Sequence, residues 1–190
     1  MSLGKQAKTL TDAQQRVVLK HLSEGRQSKR NIVMFLLSVD AALRAKEIAS
    51  LEWSMLTDAS GALTDEIRLQ DRASKGRSGG VVFMSKRLQK AIADYSQDED
   101  MTGTVVKSQR GGAMSAQVVV NWFFKLYRDL GYEGCSSHSG RRTCCTKWAR
   151  NIHLHGGTIL EVSKMMRHSS VSMTMKYIEI SADACRRVVG

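Results

Sequence analysis

Apolar residues recur at helical spacing along most of this chain and at alternate positions along one short stretch. Residues 11–24 predict an amphipathic helix with Thr9 or Thr11 as its cap. Val17, Val18 and the pair His21-Leu22 form its apolar face, and Gly25 stops it. Residues 29–39 predict a second helix. Ile32, Val33, Phe35, Leu36 and Leu37 nearly fill its circumference, so it belongs in the interior. Residues 46–53 read as a short helix with Ile48 and Leu51 inward. The period then changes. Residues 66–70 alternate in the strand sense and residues 81–84 form a second strand, with the glycine- and serine-rich stretch 74–80 as the hairpin tip between them. Residues 104–106 suggest a short edge strand. Residues 86–95 return to a helical pattern.

From Ser115 onward the chain is helical again. Ser115 caps a helix that carries Val118, Val119, Trp122, Phe123 and Leu126 and ends before Gly131. A further helix begins near Ser136-Ser137 and carries Arg141, Cys145 and Trp148 toward Asn151. Thr158 caps another through Arg167, with Ile159, Leu160, Val162 and Met166 apolar, and residues 170–178 predict one more. The expected fold is α+β: a mainly helical domain with a small antiparallel sheet. The expected organisation is an N-terminal extension over 1–10, one domain over 11–180 and a tail over 181–190. No proline is present, so glycine does the punctuating.

Composition narrows the function classes. The length of 190 residues and 42% hydrophobic content suit one core. Lysine or arginine interrupts nearly every apolar segment, so no membrane span is expected, and the N-terminus lacks the apolar core of a secretory signal. The net charge of +11 implies a polyanionic partner, nucleic acid before anionic membrane. The charge is patchy. Arg68, Arg72, Lys75, Arg77, Lys86, Arg87 and Lys90 stand against Asp71 alone, whereas Asp94, Asp98, Glu99 and Asp100 cluster just beyond. None of Cys135, Cys144, Cys145 and Cys185 has the C-x-x-C spacing of a zinc or redox site. Cys144 or Cys145 with His153 and His155 is the weaker metal alternative, at irregular spacing.

The chemistry-bearing residues fall in separate segments. His138-Ser139-Gly140-Arg141 pairs an imidazole with a guanidinium. His168 is followed nine positions later (177 minus 168) by Tyr177 in a basic stretch. Imidazoles, guanidiniums and one late phenol are what a protein needs to attack a phosphodiester without a metal. Together with Arg44 and Lys75, these motifs resemble the catalytic domain of a tyrosine recombinase, the phage integrase family. The stretch Ala42-Leu43-Arg44 through Glu47 to Leu51-Glu52-Trp53 is similar to the family's first arginine box. Lys75 resembles its β-hairpin lysine. His138 and Arg141 match its H-x-x-R box, and His168 and Tyr177 its final box. The order and spacing of all four carry the resemblance, which covers residues 9–180.

The resemblance implies that Tyr177 is the nucleophile and that Arg44, Arg141 and His168 hold the phosphate. Lys75 would be the general acid, although Arg72, Arg77 and Lys86 lie nearby. His138 would either take the tyrosine proton or hold the phosphate, and Glu47 would support the site. No cofactor, metal or ATP is implied. The implied partners are double-stranded DNA and further copies of the chain in a tetrameric synapse, with no membrane; the implied location is the cytoplasm, at the nucleoid. Arg167 stands where the family commonly has glycine, and Arg142 where a second histidine is common. Family members usually carry an N-terminal helical domain that closes around DNA. About ten residues precede the first helix here, which reads as an excised catalytic domain or a minimal version of the protein. Tail 181–190 is the segment expected to dock on a neighbour or fold back. Two rivals remain: a type IB topoisomerase-like DNA relaxer, and a DNA-binding module with this fold but no activity.

Overall fold

The computed structural model describes residues 6–71, 79–177 and 186. Two compact units, Met1–Cys144 and Cys145–Gly190, meet at a boundary inside one helix. In the first unit, α1 (Asp12–Ser23) is closed by a capping box. Thr11 Oγ1 accepts the Gln14 N–H at 3.2 Å, and Gln14 Oε1 accepts the Thr11 N–H at 2.9 Å. Its buried face differs from the expected one. Gln15, Val18 and Leu22 are buried while Val17 and His21 are exposed, because the inward stripe runs at i, i+3 and i+7 and passes between them.

Helix α2 (Ser28–Val39) is buried continuously from Val33 to Val39, as its all-round apolar pattern requires. Helix α3 (Ala45–Ala49) is shorter than predicted. Ser50 ends it, and the following backbone pairs elsewhere. The Trp53 N–H donates to Gly103 O (3.0 Å) and the Val105 N–H to Leu51 O (2.8 Å), before a 3-10 turn over Trp53–Met55. This pairing also corrects the expected edge strand at 104–106. A single bridge joins Glu52 to Thr104, and Val105 and Val106 are buried in the core.

Strands β1 (Glu66–Leu69) and β2 (Gly80–Phe83) pair antiparallel, with Glu66 opposite Phe83 and Leu69 opposite Gly80. Ile67, Leu69 and Val82 are buried; Arg68, Val81 and Phe83 are exposed. Gly79 at the hairpin base must be glycine, since a Cβ there would lie 2.5 Å from Leu69 O. Lys75 and most of the predicted hairpin tip lie outside the described residues. So does the 181–190 tail, Arg186 apart.

Ser85 caps α4 (Lys86–Ser96) and Ser115 caps α5 (Ala116–Asp129). Helix α5 turns Val119, Phe123, Leu126 and Tyr127 inward. Val118 is exposed and Trp122 lies at the margin, contrary to expectation. Helix α2 packs on α1 and α4, and α3 on α5, around Phe35, Trp53 and Phe123. Helix α6 (Ser139–Asn151) starts after Ser136, whose N–H bonds the Ser139 hydroxyl at 2.9 Å.

In the second unit α6 continues into a 3-10 turn over Ile152–His155. Helix α7 (Ile159–Met165) follows, with a Thr158–Glu161 capping box, and α8 (Val171–Met175) packs on it. Val162 and Met166 are buried and Leu160 is exposed. Both helices stop two or three residues short of their predicted ends. Among the described residues no helix is long and apolar enough to cross a membrane.

Candidate active site

Within the first unit the turn after α2 collects three of the predicted site residues. Ala42 is left-handed (φ 53°), and the Leu43 N–H reaches back to Leu37 O at 3.0 Å to close the turn. Arg44 then enters α3 at its N-cap. Glu47, fully buried, accepts from both the Arg44 N–H and Arg44 Nη1, each at 2.7 Å. The carboxylate thus caps the helix and grips the guanidinium of the same residue, leaving the arginine side chain 22% exposed.

Arg141 arrives from α6 and donates through Nη1 to the carbonyl of Ala42, 99 positions earlier. His138 opens the same helix, its carbonyl accepting the Arg142 N–H at 2.9 Å. Residues three apart share one side of a helical turn, which is why an H-x-x-R spacing suits a joint task. Partial desolvation, then the charges of Arg141 and Arg44, hold His138 below the ordinary imidazole pKa of 6.5. Arg44, His138 and Arg141 therefore share one electrostatic neighbourhood. A neutral imidazole there is able to accept a proton.

Within the second unit α7 ends in a Schellman motif. The Arg167 N–H donates to Lys164 O (2.8 Å) and the His168 N–H to Ser163 O (3.1 Å), with Arg167 left-handed at φ 52°. Arg167 takes the conformation that glycine adopts most easily, and its side chain is largely buried. The motif sets the position of His168. Its Nδ1 lies 2.8 Å from the hydroxyl of Thr174, a fully buried α8 residue. The rings of His168 and Tyr177 stack at 5.7 Å between centroids and 14° between planes. Tyr177 is anchored by its backbone: its N–H donates to Thr174 O (2.9 Å), and its carbonyl accepts from Thr146 Oγ1 (3.3 Å).

Two of the other tyrosines are held in the core. Tyr95 donates its hydroxyl to Val105 O at 3.0 Å, and burial, then the negative charge of Glu99, raises its pKa. Tyr127 is buried and its pKa is likewise raised. Tyr132 and Tyr177 are half-buried. Among the described residues no cluster of three or more His, Cys, Asp or Glu is placed to hold a metal ion. Cys144 and Cys145 are buried, while His153 and His155 are exposed.

Sequence reasoning missed the residues that build the turn. Asp40, at the α2 C-cap, accepts Arg87 Nε (2.6 Å) and Nη2 (2.5 Å) and the Ser85 hydroxyl (2.6 Å). It thereby ties the turn to the start of α4. Nothing in the local sequence marks a partner 47 positions away. Thr174 gave no signal either, since a lone threonine on a short helix reads as a surface residue.

Residues 8–183 match the model of the phage integrase family. The chain is 23% identical over 164 residues to the probable integrase/recombinase YoeC of Bacillus subtilis (strain 168), covering 84% of this chain and 83% of that protein. Among solved structures it is similar to the Tn1549 transposon integrase in complex with circular intermediate DNA. The TM-score is 0.72 at 18% identity, over 99% of this chain and 67% of that one. It is also similar to XerA recombinase, with a TM-score of 0.71 at 16% identity over 99% and 64% of the two chains. At these identities the likeness is one of fold, and the chain spans about two thirds of each solved chain. The family match over nearly its whole length and the shared, mostly helical fold with one small hairpin agree: the chain belongs to the phage integrase family, the tyrosine recombinases, as a catalytic domain.

Proposed function

We propose that this chain cuts and rejoins duplex DNA as the catalytic domain of a site-specific recombinase, with Tyr177 as the nucleophile. The phenolic oxygen attacks the phosphorus, the bond to the 5′-oxygen breaks, and a 3′-phosphotyrosyl link forms. The tyrosine proton passes to a base and the 5′-oxygen takes up a proton as it leaves. A 5′-hydroxyl from another strand reverses the steps, so the bond energy is conserved and neither ATP nor a metal is required. Arg44 and Arg141 neutralise the non-bridging oxygens and His168 adds a further hydrogen bond. His138, kept neutral, is the base or a phosphate donor. Lys75 is the general acid on the strength of its place in the sequence.

The observation that carries this reading is the meeting of Arg44, His138 and Arg141 at one turn, from segments 99 positions apart. Arg141 Nη1 donates to a backbone carbonyl of that turn, and its charge and that of Arg44 both act on the His138 ring. The net charge of +11 fits a duplex as substrate, and complete recombination calls for paired sites and several protomers.

A nicked suicide duplex tests the reading, because loss of the short 5′-fragment traps the cleaved state. A covalent protein–DNA adduct in the presence of EDTA is expected, and Tyr177→Phe should bind the duplex but form none. Binding without any adduct from the unmodified chain would leave a DNA-binding module. Relaxation of supercoiled circles without recombinant products would favour the topoisomerase-like alternative.

A further inference from the structure

Ser38 lies in the last turn of α2 and Gly140 in the first turn of α6. Ser38 is fully buried, and its hydroxyl has no hydrogen-bond partner among the described residues. A Cβ on Gly140 would collide with Ser38 Oγ. It would also lie 2.9 Å from Ser38 Cβ and 3.1 Å from the Ser38 carbonyl carbon. Backbone and side chain are therefore in direct contact, where ordinary residues would hold the two helices further apart. The approach has a cost. An unpartnered buried hydroxyl is unfavourable, and glycine is a poorer helix former than alanine. Both costs fall at the point where two site-bearing segments meet. Four residues after Ser38 is Ala42, the acceptor of the Arg141 hydrogen bond, and Arg141 directly follows Gly140.

We propose that the Ser38–Gly140 contact is a positioning element, which seats the first turn of α6 on the end of α2 and so sets Arg141 and His138 against the Ala42–Arg44 turn. The inference deepens the recombinase reading and depends on it only for the activity readout. Any side chain at 140 lifts α6 away, and Arg141 is the first residue to lose its register. Shrinking residue 38 makes room again. Removing Oγ alone leaves the 2.9 Å approach to Cβ, whereas removing Cβ as well leaves only the 3.1 Å approach to the backbone.

The test is a rescue series read in two ways. Gly140→Ala is expected to slow formation of the covalent adduct by ~10²–10³, the loss that follows misplacing one arginine donor. Adding Ser38→Gly should recover at least about tenfold of that, and adding Ser38→Ala should recover less. The second readout is the titration of the His138 ring by NMR, with His138→Gln used to assign it. In Gly140→Ala its midpoint should move up as the charge of Arg141 withdraws, and in the Ser38→Gly double variant it should return. An unchanged adduct rate and midpoint in Gly140→Ala, or a double variant no better than the single, overturns the proposal. If the unmodified chain forms no adduct, the recombinase reading fails and the titration alone decides the positioning claim. If Gly140→Ala does not fold, a folded double variant supports the claim and an unfolded one overturns it.

Discussion

Replacing Arg167 separates what a backbone conformation costs from what a side chain contributes, at the position that delivers His168. Arg167 holds φ at 52° while its N–H and that of His168 close the end of α7. An L-residue pays roughly 1–2 kcal/mol for the left-handed state. Glycine avoids that cost but gives up about 0.4–1 kcal/mol through its greater freedom in the unfolded chain. Arg167→Ala keeps the strained backbone and loses the largely buried side chain; Arg167→Gly loses both. The difference between the variants therefore isolates the backbone, and Arg167→Gly should be the more stable by about 1 kcal/mol. Urea unfolding followed by circular dichroism measures this as a shift in midpoint at constant slope. An alanine variant more stable than the glycine variant would refute the left-handed geometry at 167, and with it the account of how His168 is placed.

Three other outcomes follow from contacts around the first unit's turn. Glu47→Ala strips a buried carboxylate from Arg44 and opens the α3 capping box, so it should cost about 3 kcal/mol in urea unfolding and abolish adduct formation. Asp40→Ala removes the acceptor of Arg87 and Ser85. Arg87 is partly exposed and regains water, so the loss should be about 2 kcal/mol, and a loss under 0.5 kcal/mol would contradict the network. His138 has a folded-state pKa below 6.5, so the unfolded chain binds its proton more readily. Stability should rise with pH through the window below 6.5 and then level off as far as this group is concerned. His138→Gln should flatten that rise, and an unaltered pH profile would remove the assignment.

Much of the helical framework was legible in the sequence because it rests on local chemistry. Thr11, Ser115 and Thr158 each cap the helix that follows them, and the filled circumference of α2 announces its burial. What was not legible depends on partners far along the chain. The stop of α3 at Ala49 follows from pairing with residues 103–105, and the inward face of α1 from where α2 lies. The site divides in the same way. The boxes could be read as residue types in order, and the family match agrees with the resemblance they carry. The turn that unites Arg44 with Arg141 could not, because an alanine gives no sign of a positive φ. Gly140 did carry a signal. A glycine in the first turn of a helix calls for a close neighbour, although only the fold identifies that neighbour as Ser38.

With Tyr177 as the proposed nucleophile, one particular phenol becomes bonded to DNA. The chain has four tyrosines, of which Tyr95 and Tyr127 are buried with raised pKa values, while Tyr132 is, like Tyr177, half-buried. The most direct measurement is peptide mapping by mass spectrometry of the adduct trapped on a nicked suicide duplex. A nucleotide remnant is expected on the peptide that contains Tyr177 and on no other. A remnant on the Tyr132 peptide, or duplex binding with no modified tyrosine, would contradict it.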